Sequence, residues 1–445
     1  MCYNVRMDML DVQNEFPMLY AGSERRVGTN CAKLVYLDSG ATAFKPKCVI
    51  EKEMSFYSHN TGSAGRGVHT LANEASEAIE CSRKKLVDFT LSSGATNEEK
   101  EKWTAIFTSG ATMGLNMLSL MFLLCSLNIS ENKTNRFKLN NKSNIVLSRA
   151  EHHSNIVPWQ QLSKLVDVEL RYINLLDSGD LDLEQLDKLV DENTRIVSIS
   201  HASNVTGIVH EIEKITAHLS SVASSDTRPI VILDACQSAP HIPLDLDIKD
   251  VDFAVISAHK IYGPSGVGAI IGKKELLFEA PVVFSGGGMV ERVDDFSTSF
   301  QGLPNKYEPG SFPTAQILAF SSALDFINKI GFANIIAHEE NLTRKLLKVG
   351  DIPDVRILGS NTLLDENRRL GLVSFEVEGI HPHDLGTYLN ELGIAVRVGH
   401  HCAQLVHRRF GVQSSTRASL GVYNTEDDVE AFLDGVKLAR NFFKA

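Results

Sequence analysis

Two charged residues, each closing an apolar run, carry the first chemical signal. Ile230-Val231-Ile232-Leu233 runs into Asp234, and Ile256-Ser257-Ala258-His259 runs into Lys260. A strand ending in Asp beside a strand ending in Lys suits pyridoxal 5'-phosphate. The lysine amine forms a Schiff base with the aldehyde, and the carboxylate keeps the pyridine nitrogen protonated, so the ring accepts electrons. Two buried strands that merely end in charges would read the same, so the pair alone does not decide the chemistry.

Three further motifs bear on it. Phe107-Thr108-Ser109-Gly110-Ala111-Thr112 lies between an apolar run and a helical one. Backbone N–H groups at a helix start hold phosphate, with Thr112, and Ser109 beside it, as candidate donors; an ordinary N-cap is the alternative. Gly272-Lys273 is followed by Lys274, which is not a Walker A sequence. Glu151-His152-His153-Ser154-Asn155 follows the run Asn144–Ser148. An imidazole there can lie over a planar ring and move protons. Metal binding is the rival, but adjacent histidines seldom share one ion. Gly399-His400-His401-Cys402 places a thiol beside two imidazoles. Such a thiol is either a nucleophile of depressed pKa or a small buried side chain. Arg397 and Arg417 flank it and offer planar forks for a substrate carboxylate, or structural ion pairs.

These residues need a scaffold, and the chain is long enough for one or two sizeable domains at 445 residues. Its net charge of −11 argues against nucleic-acid binding. No run reaches the ~18 apolar residues of a membrane span, and Met117–Leu127 reads as a buried helix. The seven cysteines are odd in number, widely spaced and without C-x-x-C, which points to a reducing compartment, the cytoplasm. Short β-rich runs (Thr104–Phe107, Asn144–Ser148, Arg195–Ser200, Pro229–Leu233, Phe253–Ser257, Val267–Ile271) alternate with helical stretches, the rhythm of an α/β domain with a mainly parallel sheet. Functional residues collect in the loops after such strands. The expected division is a leading segment 1–35 packing with the small domain, a large domain 36–317, and a small α+β domain 318–445. The polar stretches 91–102 and 128–142 read as mobile surface insertions. The last helix is expected to start at Asn424-Thr425 and to bury Val429, Phe432 and Val436.

Taken together, the motifs resemble the SUF-type (group II) cysteine desulfurases, a branch of the class V aminotransferase-like enzymes. The likeness runs from about Leu34 onward. It is carried by Tyr36-Leu37-Asp38-Ser39-Gly40-Ala41-Thr42, Arg66-Gly67-Val68-His69-Thr70, the Glu151–Trp159 motif and Ser203-Asn204-Val205-Thr206-Gly207. It continues through Asp234-Ala235-Cys236-Gln237-Ser238, His259-Lys260-Ile261-Tyr262-Gly263-Pro264, Gly399–Ala403 and Arg417-Ala418-Ser419-Leu420. The resemblance implies a fold-type I enzyme with a mainly parallel seven-stranded sheet, pyridoxal 5'-phosphate as cofactor, and a homodimer. It makes Lys260 the Schiff-base lysine, Asp234 the partner of the pyridine nitrogen, Gln237 a contact to the ring oxygen, and His152 the stacking imidazole. It assigns Thr112, Ser257 and His259 to the phosphate, with Ser311 reaching in from the second subunit beside Arg66. Asn204 and Arg417 bind substrate, and Cys402 takes the sulfur of L-cysteine, leaving alanine and a persulfide for iron–sulfur cluster assembly. The sequence departs from the family at Gly65, Ala111, Ser311 and Leu405; the last stands where a proline usually follows the catalytic cysteine.

Selenocysteine lyase is the nearest rival, since it uses the same constellation. A class V aminotransferase or epimerase has no need of Cys402, and a non-catalytic scaffold has no need of Lys260. His383, in His381-Pro382-His383-Asp384, stands where relatives served by a zinc-containing SufU-type acceptor carry a histidine and those served by SufE-type acceptors often do not. The alternative is a surface or helix-capping imidazole.

Overall fold

The structure, a computed structural model, describes residues 9–20, 34–127, 136–222, 228–360 and 368–444. Its centre is a seven-stranded sheet. In spatial order the strands are Trp103–Thr108, Gly268–Lys273, Phe253–Ser257, Ile230–Asp234, Thr194–Ser200, Asn144–Ser148 and Glu169–Ile173. Gly268–Lys273 runs antiparallel to both neighbours, and the other strand pairs are parallel. Central strands are buried on both faces, which is why they read as unbroken apolar runs. Glu169–Ile173 has no counterpart in the sequence reading. It is an edge strand with Glu169 exposed and Arg171 half-buried, so its apolar signal is interrupted.

Helices cover both faces. Ala111–Ser126, buried along most of its length, packs on the face formed by Ile106, Val255 and Ile270. On the other face lie Lys47–His59, Thr70–Thr90 and Thr314–Ile330. The division expected between 317 and 318 falls inside Thr314–Ile330, which packs on the first two of these helices. The second body has a four-stranded antiparallel sheet, in the order Val355–Ile357, Leu372–Val377, Ser415–Ser419, Arg397–Gly399. Its final helix, Glu426–Lys444, is started by Thr425 and Asp428, each side chain accepting from the other's backbone N–H, and it buries Val429, Phe432 and Val436.

Two expectations need correction. Stretch 91–102 is anchored: Ser92 donates its N–H and hydroxyl to Asp247, and Thr96 and Glu99 close a capping box on helix Asn97–Glu101. In stretch 128–142, residues 128–135 lie outside the described residues, but Phe137 and Leu139 are core residues, with Phe137 packed at a tilt on Phe122 and edge-on to Phe253. In the leading segment, Phe16 packs edge-on to Tyr262, Phe326 and Tyr423, so it seals the junction of both bodies. Among the described residues no helix is long and apolar enough to cross a membrane.

One buried ion pair sets the edge strand that leads into the phosphate turn. Arg83 forks onto Glu308 at 2.8 and 2.9 Å, and Glu308 accepts the Phe107 N–H at 2.7 Å. Removing the cation leaves a desolvated carboxylate, so Arg83→Leu is expected to cost about 3–5 kcal/mol, read from urea unfolding.

Candidate active site

The strand ends converge on a cavity of about 320 Å³. Its floor is polar and sparsely satisfied. The Asp234 carboxylate, at the end of its strand, accepts the Cys236 N–H at 3.1 Å. Gln237 is buried, and its Oε1 has no hydrogen-bond partner. Lys260 closes the short turn after Phe253–Ser257, and its side chain lines the same cavity.

His152 caps the turn that follows Asn144–Ser148: its Nδ1 accepts the Ser154 N–H at 3.1 Å. The proton of the neutral ring therefore sits on Nε2. Burial, then the nearby Lys260 charge, pushes its pKa down to about 4, with Asp234 opposing. Glu151 is fully buried beside it and accepts from Ser148 and Asn155; burial raises its pKa to about 7.

Helix Ala111–Ser126 points its N-terminus at the cavity without a side-chain cap. Gly110 precedes it at φ +149°, and the Ala111 N–H donates to Ser257 Oγ at 2.9 Å. Gly268 makes this turn possible, because a Cβ there would come within 2.7 Å of Gly110 Cα and 2.4 Å of the Ile256 carbonyl. Thr112 pairs with Ser154 at 2.7 Å at the rim, and His259 adds its ring to the wall. Ser109 does not join them. It lines a second cavity of about 270 Å³ with Met113, Glu308 and Ser311. Ser311 of the same chain therefore lies outside the Lys260 cavity.

The opposite wall comes from the second body. Cys402 sits in a turn between strand Arg397–Gly399 and helix Gln404–Phe410, with its thiol side exposed. His401 and Cys402 both have left-handed backbones, φ +50° and +55°. For residues with a Cβ this costs roughly 1 kcal/mol or more each, so the turn must be held from outside. The His153 N–H donates to the Cys402 carbonyl at 2.7 Å, and His153 Nε2 accepts from Gln404 N at 3.2 Å. The Asn204 amide donates to the His401 carbonyl at 2.6 Å.

Asp38, which sequence reasoning left unassigned, joins the two arginines. Arg397 forks onto it through Nε and Nη2 at 3.0 and 2.9 Å, and Arg417 reaches it at 3.4 Å. The Arg397 guanidinium is thus engaged in a structural ion pair. Arg417 is fully buried, donates to the Asn204 carbonyl at 3.0 Å, and keeps Nε unpaired. Burial lowers its pKa to about 10, with Asp38 opposing. His383 is outside the cavity, exposed on helix Pro382–Glu391; His381, not His383, caps that helix.

The chain matches the family described as aminotransferase class-V over residues 35–432. It is 37% identical over 438 residues to a probable cysteine desulfurase of Streptomyces coelicolor, covering 98% of each chain. It is 33% identical to a cysteine desulfurase of Haloferax volcanii, again over 98% of each. The chain belongs to the class V aminotransferase family. Among solved structures, the apo cysteine desulfurase of Thermococcus onnurineus superposes with a TM-score of 0.84 at 29% identity, covering 97% of this chain and 98% of that one. Escherichia coli CsdA in its S-sulfonic acid form gives 0.81 at 28% identity, covering 98% and 99%. The architecture is fold-type I, and family members depend on pyridoxal 5'-phosphate. The cavity fits that group: a buried carboxylate, an orphaned amide oxygen on Gln237, an uncapped helix start and a lysine share one space.

Proposed function

We propose that this protein is a cysteine desulfurase of the SUF-type, group II branch, converting L-cysteine to L-alanine with a persulfide on Cys402. The observation that carries the reading is that Cys402 opens into the same cavity as Lys260 and Asp234. Lys260 would hold the cofactor aldehyde, Asp234 its ring nitrogen and Gln237 its ring oxygen. His152 would cover the ring face, and Thr112, Ser257, His259 and the Ala111 helix start would hold its phosphate. When bound, the cofactor supplies an electron sink for the substrate α-carbon. Arg417, which lines the cavity, would bind the substrate carboxylate with Asn204 beside it, and Arg397 adds positive potential from its seat on Asp38. Cys402 attacks the substrate sulfur. An S–S bond forms, the C–S bond breaks, and its electron pair stays with carbon, which takes up a proton. In this reading His152 moves protons there through Nε2–H. Alanine released from L-cysteine under a thiol reductant is the deciding measurement. Its absence sinks the reading and leaves the non-catalytic scaffold. Faster turnover of L-selenocysteine than of L-cysteine would make selenocysteine lyase the better description.

The working unit in this reading is a homodimer that lends Ser311 and Arg66 to the neighbouring site. Its support is that Ser311 lies outside its own chain's Lys260 cavity, and that Val68, two residues from Arg66, and Met54 and Tyr57 on helix Lys47–His59 are 95, 61 and 59% exposed. Such apolar exposure fits burial against a second copy. Dilution to monomer is expected to lose activity in step with dimer content. Undiminished monomer activity would reject sharing.

Sulfur then passes to an acceptor for iron–sulfur cluster assembly in the cytoplasm, a placement that rests on the odd number and wide spacing of the cysteines in the sequence. A zinc-containing SufU-type acceptor is favoured over a SufE-type one. The support is an exposed His383 on a helix that packs against the Arg397–Gly399 strand entering the Cys402 turn. A neutral imidazole can replace a thiolate on zinc and free that thiol to attack the persulfide. His383→Ala is expected to keep alanine production with a small-thiol reductant and to lose stimulation by the zinc-containing acceptor. Wild-type stimulation of that variant would move the choice to SufE.

A further inference from the structure

The turn that carries Cys402 is gripped by an imidazole–hydroxyl–imidazole chain to which the proposed chemistry gives no task. Ser415 Oγ lies 2.9 Å from His401 Nε2 and 2.9 Å from His407 Nε2. His407 Nδ1 lies 3.1 Å from the Ala403 carbonyl oxygen. A carbonyl oxygen only accepts, so Nδ1 carries the His407 proton. Nε2 of the neutral ring is then an acceptor, and it takes the Ser415 hydroxyl proton. Ser415 has no second proton to give, so its oxygen accepts from His401, and the His401 proton sits on Nε2. The His401 Nδ1 lone pair is left over, and it is indeed buried without a hydrogen-bond partner. The bonds run one way, from His401 through Ser415 and His407 to the Ala403 carbonyl. All three side chains are buried, so neither ring shares its proton with bulk water. Burial holds both rings below the ordinary imidazole range, His401 at about 2, where Arg417 and His407 add to the effect.

We propose that Ser415 and His407 are positioning residues for Cys402, clasping its two sequence neighbours and so fixing the left-handed turn that presents the thiol to the cavity. His401 precedes the nucleophile and Ala403 follows it, and the chain of hydrogen bonds joins the two. A left-handed pair of non-glycine residues persists only where its surroundings over-determine it. The clasp adds stiffness on the helix side of the turn, because His407 belongs to helix Gln404–Phe410. It also ties the thiol to strand Ser415–Ser419, which carries Arg417, so nucleophile and carboxylate fork share one support.

The kinetic arm of the test rests on the desulfurase reading; the exchange arm does not. In the full-length holoenzyme, Ser415→Ala and His407→Leu are each expected to lower kcat for alanine release roughly tenfold, about the worth of a buried hydrogen bond, with KM for L-cysteine unchanged. Hydrogen exchange of the backbone amides over 399–412 is expected to speed up roughly tenfold in both. His407→Gln restores the pattern, since its amide N–H can donate to Ala403 while its oxygen accepts from Ser415. That variant should match wild type in kcat and exchange. Wild-type kcat and exchange in both disrupting variants would overturn the clasp, and so would equal losses in His407→Gln and His407→Leu. If the wild-type enzyme releases no alanine, the desulfurase reading fails, and the exchange comparison among the same variants still decides the clasp.

Discussion

Replacing Cys402 by alanine is expected to leave a folded, yellow protein that no longer releases sulfur from L-cysteine, with turnover down on the order of a thousandfold or more. The side chain lines the cavity from the second body, and the bonds that hold its turn come from its backbone and its neighbours. Loss of the thiol therefore removes the attacking atom and little else. The other described thiols cannot take its place. Cys236, the one other cysteine lining the cavity, is fully buried beside Asp234, and burial drives its pKa far above the usual thiol value. Cys48, Cys81 and Cys125 lie elsewhere. Alanine production by Cys402→Ala at wild-type rate would reject Cys402 as the sulfur carrier. Release of alanine from selenocysteine alone would be consistent with it, because the C–Se bond is the weaker one.

Lys260→Ala is expected to abolish covalent cofactor attachment and to lower turnover on the order of a thousandfold. Borohydride reduction of the wild-type protein should fix the cofactor to the Lys260 peptide and yield no labelled peptide from the variant. The physical rival is Lys45. Burial lowers its pKa to about 8, which is the kind of shift that activates an amine. Its Nζ, however, donates to the Ala43 and His259 carbonyls at 2.5 and 3.0 Å, and it does not line the cavity. A label on the Lys45 peptide would overturn the assignment of Lys260.

How much of this was legible in the sequence follows from where the information lies. Asn144–Ser148 and Phe253–Ser257 emerge with the bounds read from the sequence, because strands buried on both faces are written as continuous apolar runs. Asp234, His152 and Lys260 were readable for the same reason: Asp234 closes such a strand, and the other two follow one closely. Glu169–Ile173 was not readable, since an edge strand keeps polar residues on its exposed face. Phe137 was misread because its apolar side chain stands in a stretch dominated by Asn and Lys, whose composition outweighs one buried aromatic. Asp38 shows a harder limit. Its neighbours in sequence say nothing of the two arginines it holds, and only the closed fold brings them together. Ser415 and His407 were equally silent, because their meaning depends on the direction of two hydrogen bonds.

The reach of Asp38 has a consequence for how the protein is made. It stands 359 positions ahead of Arg397 and 379 ahead of Arg417. The pairing of Val35 and Tyr36 with Ile394 and Ala395 spans a similar interval. During synthesis, the segment that supplies Thr112, His152, Asp234 and Lys260 leaves the ribosome well before these partners exist. A nascent chain can thus assemble the strand ends of the large body, with the proposed cofactor-holding residues, before the second body that carries Cys402 and Arg417 exists, and closing so long a loop comes late in folding. Ribosome-bound chains stopped shortly after Lys260 would be unable to complete the carboxylate site. The Asp38 cluster is therefore complete only once the strand that carries Arg417 has been made.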